Sequence, residues 1–206
     1  MGKSKSSRRW LDEHFSDEFV QRAQMEGYRG RAVYKLKELD KRFQLIKSGM
    51  TIVDLGAAPG AWSEYAGQKL KGKGRILAMD ILPMDSLPDV EFIQGDFHEM
   101  EVVEKLMNTL KGQRVNLVIS DMAPNMSGMD AVDQPRAMYL AELAQDFAHQ
   151  VLISGGDLLV KLFQGEGFDA FILMLRGDFA TVTVCKPKAS RPRSREVYVL
   201  ARRYKL

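Results

Sequence analysis

From Thr51 onward the chain alternates short apolar runs with helical segments, and this alternation restricts the fold more than any other feature. The runs Thr51–Leu55, Arg75–Asp80, Val90–Gln94, Val115–Asp121 and Asp157–Phe163 read as strands. A run that is apolar throughout, such as the one begun by Gly155 and Gly156, suits a parallel strand covered on both faces. Helical patterns fall near Ala61–Leu70, Glu99–Leu110, Pro135–Leu152 and Phe168–Phe179. Two more strands, Thr181–Lys186 and Glu196–Ala201, flank the loop Pro187–Arg195. That loop is too short for a crossover helix, so the last pair is expected to be antiparallel. The expected fold is a doubly wound α/β sheet of seven strands, mostly parallel with an antiparallel last hairpin. Two helices precede it, from about Asp17 to Glu26 and from Arg31 to about Phe43, the second with Val33, Leu36, Leu39 and Phe43 on one face. The chain reads as a single domain over residues 1–206, with a basic N-terminal extension, 1–47.

Charge is unevenly distributed, and this bears on partners. Residues 1–47 carry 12 Lys and Arg against 7 Asp and Glu, residues 48–185 carry 10 against 19, and residues 186–206 carry 8 against 1. Two basic ends folded onto one side would form a footprint for a polyanion. The residues Arg8, Arg9, Arg29, Arg31, Lys186, Lys188, Arg191, Arg193 and Arg195 are the candidate phosphate contacts. The single cysteine, Cys185, excludes an internal disulfide and any CxxC metal site. His14, His98 and His149 lack ligand spacing, so no metal is expected. No apolar run reaches membrane-spanning length, and no signal peptide is visible. A cytoplasmic monomer without membrane contact is the expectation.

In an open α/β sheet the ligand lies beyond the carboxyl ends of the strands, beside the switch in strand order. The first strand leads into Val53-Asp-Leu-Gly-Ala-Ala-Pro-Gly-Ala-Trp-Ser63, a tight turn bracketed by Gly56 and Gly60. This is neither a dinucleotide fingerprint nor a P-loop. The acid leading the turn, Asp54, suits a cofactor with a cationic amino acid arm. Asp80 ends the second strand, where a carboxylate can accept from ribose hydroxyls, and Asp96 follows the third, where it can accept from an adenine amino group. Each acid alone reads as a cap or turn residue. Three at successive strand ends point together to S-adenosylmethionine. Lys161 interrupts the apolar run Leu158–Phe163. A buried ammonium must find partners or lose its proton, whereas one at the strand's carboxyl end can reach water.

Four segments carry a resemblance. Gly56-Ala-Ala-Pro-Gly60, Asp121-Met-Ala-Pro-Asn-Met-Ser-Gly128, Val160-Lys-Leu-Phe-Gln-Gly165 and Ser194-Arg-Glu-Val-Tyr198 resemble the signatures of the FtsJ/RrmJ (RlmE) family. That family has the Rossmann-like S-adenosylmethionine-dependent methyltransferase fold and methylates a uridine 2′-hydroxyl of large-subunit (23S) ribosomal RNA. The resemblance runs from about Arg9 to Ala201. It implies a catalytic tetrad at Lys35, Asp121, Lys161 and Glu196, and cofactor contacts at Gly60, Trp62, Asp80, Asp96 and Asp121. Ala61 stands where many relatives have a second glycine.

The chemistry fits those residue types. A ribose 2′-hydroxyl is a poor nucleophile until its proton is removed or polarised, while a methyl on a sulfonium is already activated. A neutral lysine can take that proton. Desolvation and a neighbouring ammonium favour the neutral form, and carboxylates oppose it. Lys161 is the expected general base, with Lys35 assisting and the two acids positioning the amines. After Asp121 the chain lacks the paired prolines and aromatic of base-amino methyltransferases, which favours a hydroxyl acceptor. The rival readings are a cap or transfer RNA 2′-O-methyltransferase and a non-catalytic RNA-binding assembly factor. The compact length favours a ribosomal RNA substrate, and the intact tetrad favours an enzyme.

Overall fold

The structure, a computed structural model, describes residues 17–206. Arg8 and Arg9 lie outside the described residues. Helix α1 (Glu18–Glu26) begins where the Asp17 carboxylate accepts the Phe19 N–H at 3.0 Å. It ends at Gly27, whose φ of 76° is a left-handed cap that a side chain would strain. Helix α2 (Val33–Phe43) buries Val33, Leu36 and Leu39, as its spacing required.

The sheet then builds through β1 (Thr51–Leu55), α3 (Ala61–Leu70), β2 (Arg75–Asp80), β3 (Val90–Gln94), α4 (Met100–Leu110) and β4 (Val115–Ser120). It continues through α5 (Asp130–Val151), β5 (Leu152–Phe163), α6 (Phe168–Asp178), β6 (Phe179–Cys185) and β7 (Glu196–Tyr204). Strand order is β3-β2-β1-β4-β5-β7-β6. Strands β1 to β5 are mutually parallel, and β7 lies antiparallel between β5 and β6. The expected seven-stranded sheet with its antiparallel hairpin is thus observed. Order reverses between β1 and β4, which opens a crevice at their carboxyl ends.

Two apolar layers hold the sheet. Phe147 and Val151 of α5, Leu106 of α4 and Phe171 of α6 pack on one face. Leu36 and Leu39 of α2, with Trp62 and Ala66 of α3, pack on the other. Removing one such leucine side chain typically costs about 2–5 kcal/mol, because little can collapse into the gap.

Two elements differ most from their expected bounds. Helix α5 starts at Asp130 rather than near Pro135. The Asp133 carboxylate accepts the backbone N–H groups of Ser127 at 2.8 Å and Gly128 at 2.9 Å, which fastens the preceding turn to the helix start. Pro135 therefore sits inside the helix and costs it one hydrogen bond. Strand β5 starts at Leu152 rather than Asp157. Leu152 pairs with Val115, the register shifts through Gly155 at φ 81°, and pairing resumes at Asp157 with Leu117.

Candidate active site

Lys161 lies in β5 opposite Tyr198 of β7, so both side chains leave the same face of the sheet. Its ammonium is almost fully enclosed. Nζ donates to the Asp121 carbonyl oxygen at 2.5 Å and lies 3.1 Å from Asp121 Oδ1. Asp121 immediately follows β4, and its N–H bonds the Leu55 carbonyl of β1 at 3.1 Å, so two central strands fix its position.

Tyr198 joins this pair to the other. Its hydroxyl donates to Asp121 Oδ1 at 2.5 Å and accepts from Lys35 Nζ at 3.0 Å. Lys35 Nζ also lies 2.8 Å from Glu196 Oε1. The four expected tetrad residues therefore form one chain, Lys161–Asp121–Tyr198–Lys35–Glu196, with a phenol as its middle link. Tyr198 is fully buried, and its ring packs on Trp62 at 5.7 Å. Burial, then the charge of Asp121, raises the phenol well above its ordinary pKa, so it bridges as a neutral hydroxyl. Burial also pushes Asp121 upward. The ammonium groups of Lys161 and Lys35 and the Tyr198 hydrogen bond outweigh it and hold the carboxyl below its ordinary range.

In the sequence Tyr198 is visible only as the last residue of a motif, and Ser190 is not singled out at all. Ser190 is buried, and its hydroxyl donates to Glu196 Oε1 at 2.8 Å. The only signal available was a serine within a basic loop, and that does not separate structure from function.

Beside the network lies a cleft of about 680 Å³, within the range of small-ligand sites. Asp80, Asp96 and Asp121 all line it, with Gly56, Ala58, Phe97 and Tyr139. Asp80 is oriented by the backbone N–H groups of Ala58 and Leu82, at 2.9 and 2.8 Å. Asp96 Oδ1 accepts from the His98 N–H at 3.0 Å and contacts the His98 ring at 2.6 Å. The His98 N–H, then its ring, hold that carboxyl below its ordinary value. Gly56, at φ 78°, admits the close approach of the loop that follows β4. A Cβ there would come within 2.8 Å of the Met122 side chain.

Asp54 stands behind the turn with no exposed surface. Ser63 donates its hydroxyl to Oδ2 at 2.7 Å, and Oδ1 has no partner. Burial foremost, then the charges of Asp121 and Asp80, push this carboxyl up to about 7, against the Ser63 bond. Asp54, Asp80 and Asp121 beside one cleft form a set of acceptors that fits a nucleoside cofactor with a cationic arm.

Gly60 and Trp62 lie outside the walls of this cleft. Gly60 caps α3 at φ 107° beneath Met84 and Leu87. The Trp62 indole is buried and donates to the Ala32 carbonyl at 2.8 Å. Its backbone belongs to the first turn of α3, which begins directly after Gly60.

The basic residues divide by partner. Arg29 donates to the carbonyls of Pro59, Asp85 and Ser86, strapping the segment after β2 to the glycine turn. Arg31 pairs with Asp17 and donates to the Ala189 carbonyl. Lys186 holds the carbonyls of Pro192 and Ser194, and Arg195 pairs with Asp130 at 2.6 Å. Arg191 is partly exposed, and Lys188 and Arg193 are exposed. No group of three or more potential metal ligands occurs among the described residues, and no described helix is long and apolar enough to cross a membrane.

Comparison with known proteins gives consistent matches. A family model described as FtsJ-like methyltransferase matches residues 28–204. A Legionella pneumophila (strain Corby) protein named ribosomal RNA large subunit methyltransferase E is 58% identical over 206 residues, covering 100% of both chains. A Chromohalobacter salexigens protein of the same name is 61% identical over 198 residues, 96% of this chain and 94% of the relative. A Plasmodium falciparum crystal structure, provisionally described as a ribosomal RNA methyltransferase, superposes with a TM-score of 0.78 at 30% identity. That match covers 86% of this chain and 98% of the other.

Proposed function

This chain belongs to the FtsJ-like methyltransferase family, and from that premise we propose that it methylates the 2′-hydroxyl of a uridine in large-subunit (23S) ribosomal RNA within the assembled subunit. The observation that carries this reading is the continuous network of two lysines, two acids and a tyrosine beside an acid-lined cleft. The cofactor is of the S-adenosylmethionine type, and when bound it supplies a methyl group already activated on a sulfonium. Asp80 would hold the ribose hydroxyls and Asp96 the adenine amino group. Gly60 and the Trp62 backbone would shape the turn beside the amino acid arm.

In its neutral amine form, Lys161 takes the proton from the 2′-hydroxyl. A positioned base of this kind contributes about 10²–10⁴-fold to rate. Asp121 fixes the Lys161 amine through both its carbonyl and its carboxylate. Lys35 orients the ribose oxygen, while Glu196 holds Lys35. Tyr198 sets the spacing between the two lysines without itself exchanging a proton.

RNA docks on the basic loop Pro187–Arg195 and on the N-terminal extension 1–47, and the 2′-hydroxyl distinguishes it from DNA. The protein acts as a cytoplasmic monomer. The test is to incubate it with labelled S-adenosylmethionine and separated ribosomal subunits, then map the methylated nucleotide. A single labelled uridine in the large subunit is expected. Label confined to transfer RNA, capped RNA or a base amino group would overturn the assignment.

A further inference from the structure

Glu196 Oε1 is the most crowded acceptor in the network. It takes the Lys35 ammonium at 2.8 Å and the Ser190 hydroxyl at 2.8 Å, which uses both of its lone pairs. Ser190 is only 4% exposed, although it lies in the basic loop expected to meet RNA. Local bonds make that loop stiff. The Ser190 N–H bonds the Pro187 carbonyl at 2.9 Å, the Ser194 N–H bonds the Arg191 carbonyl at 3.0 Å, and the Ser194 hydroxyl accepts the Glu196 N–H at 3.1 Å. Arg31, two residues before α2, reaches across to the carbonyl of Ala189, next to Ser190.

We propose that Ser190 is a positioning residue that fixes Glu196, and through it Lys35, so that the setting of the catalytic amine depends on the seating of the basic loop. The inference rests on the RNA methyltransferase reading above. Its physical basis is the length of the glutamate side chain. With two donors on one oxygen, Glu196 can rotate only by abandoning a hydrogen bond. Without Ser190 it keeps Lys35 alone, and the pair can swing as a unit about the Tyr198 hydroxyl. The basic side of the loop also favours an anion. Arg31 reaches the Ala189 carbonyl and Arg191 follows Ser190 in the chain, and the Arg191 charge, second to burial, weakens the hold of Arg31 on its proton. A phosphate there would press the loop toward Glu196 and reinforce the Ser190 contact.

The test is a double-mutant cycle with Ser190→Ala, Glu196→Ala and the double variant, assayed on large ribosomal subunits beside the unaltered protein. Ser190→Ala should lower kcat about tenfold, the size expected for losing one hydrogen bond to a charged group. KM for S-adenosylmethionine should stay unchanged, while the melting temperature should fall by only a few degrees, as one buried hydrogen bond is lost. In the Glu196→Ala background, adding Ser190→Ala should change kcat less than about twofold. Ser190→Thr, which keeps the hydroxyl, should exceed Ser190→Ala in kcat. An unchanged kcat in Ser190→Ala, an undiminished loss in the Glu196→Ala background, or equal losses in the Thr and Ala variants would each overturn the role of Ser190. An unaltered protein inactive on every RNA would overturn the methyltransferase-on-RNA reading and this inference with it. Active parent protein with an indifferent Ser190→Ala variant would overturn this inference alone.

Discussion

The acid-lined cleft and the lysine–acid network share Asp121 but are built in opposite ways. In the cleft, acids at the ends of adjacent βα units are aimed mainly by nearby backbone N–H groups: Ala58 and Leu82 on Asp80, His98 on Asp96. In the network, side chains meet across the chain. Lys35 comes from α2, Lys161 from β5, and Tyr198 and Glu196 from β7, and they hold one another. The cleft should therefore tolerate loss of one acid with a local penalty. The network should lose its geometry when any link is cut.

The strongest test of that contrast is Lys161→Ala. It should reduce kcat about 10²–10⁴-fold while leaving cofactor affinity, measured by calorimetry, nearly intact. Full turnover in this variant would remove Lys161 as the base. Asp54 gives the next largest effect, on stability. Its carboxyl sits near 7 in the folded protein, above the about 3.9 of an unfolded aspartate, so between those values the folded state holds a proton that the unfolded state has released. Stability should therefore fall from about pH 4 to pH 7, by on the order of a few kcal/mol, and level off above. Asp54→Asn, neutral throughout, should show a flatter profile in urea denaturation over this window. Equal slopes would mean that the Asp54 carboxyl holds its proton no more tightly in the folded protein than in the unfolded chain.

Smaller effects should mark the cleft and the RNA face. Asp96→Ala should raise the cofactor KM about tenfold with kcat little altered, as expected when a hydrogen bond made equally in ground and transition states is removed. A matching fall in kcat would show that the cleft and network are coupled more tightly than their construction suggests. Arg193→Gln should weaken RNA binding modestly and reduce the slope of log affinity against log salt by about 1. An unchanged slope would place that side chain away from phosphate.

The cleft was largely readable from the sequence because its parts are local. A strand followed by Gly56-Ala-Ala-Pro-Gly60, then acids at the ends of the next strands, specifies turn and carboxylates within one stretch of chain. Trp62 shows the limit of that reading. Its position in the motif was visible, but the direction of its indole, into the layer with Tyr198, depended on α2 and β7. Pro135 misled in a similar way, since only the Asp133 bonds to Ser127 and Gly128 reveal where α5 begins.

Alternation of apolar runs and helical periods determined by itself the sheet, its parallel character and its closing hairpin. These follow from burial periodicity and from the chain length a crossover requires. Motif resemblance added the identities of the two lysines and two acids. The tertiary structure alone decided that β7 inserts between β5 and β6. That placement sets Tyr198 against Lys161 and brings Glu196 to Lys35 and Ser190. Strand insertion is settled by packing among residues far apart in sequence, and periodicity within any one segment carries no record of it.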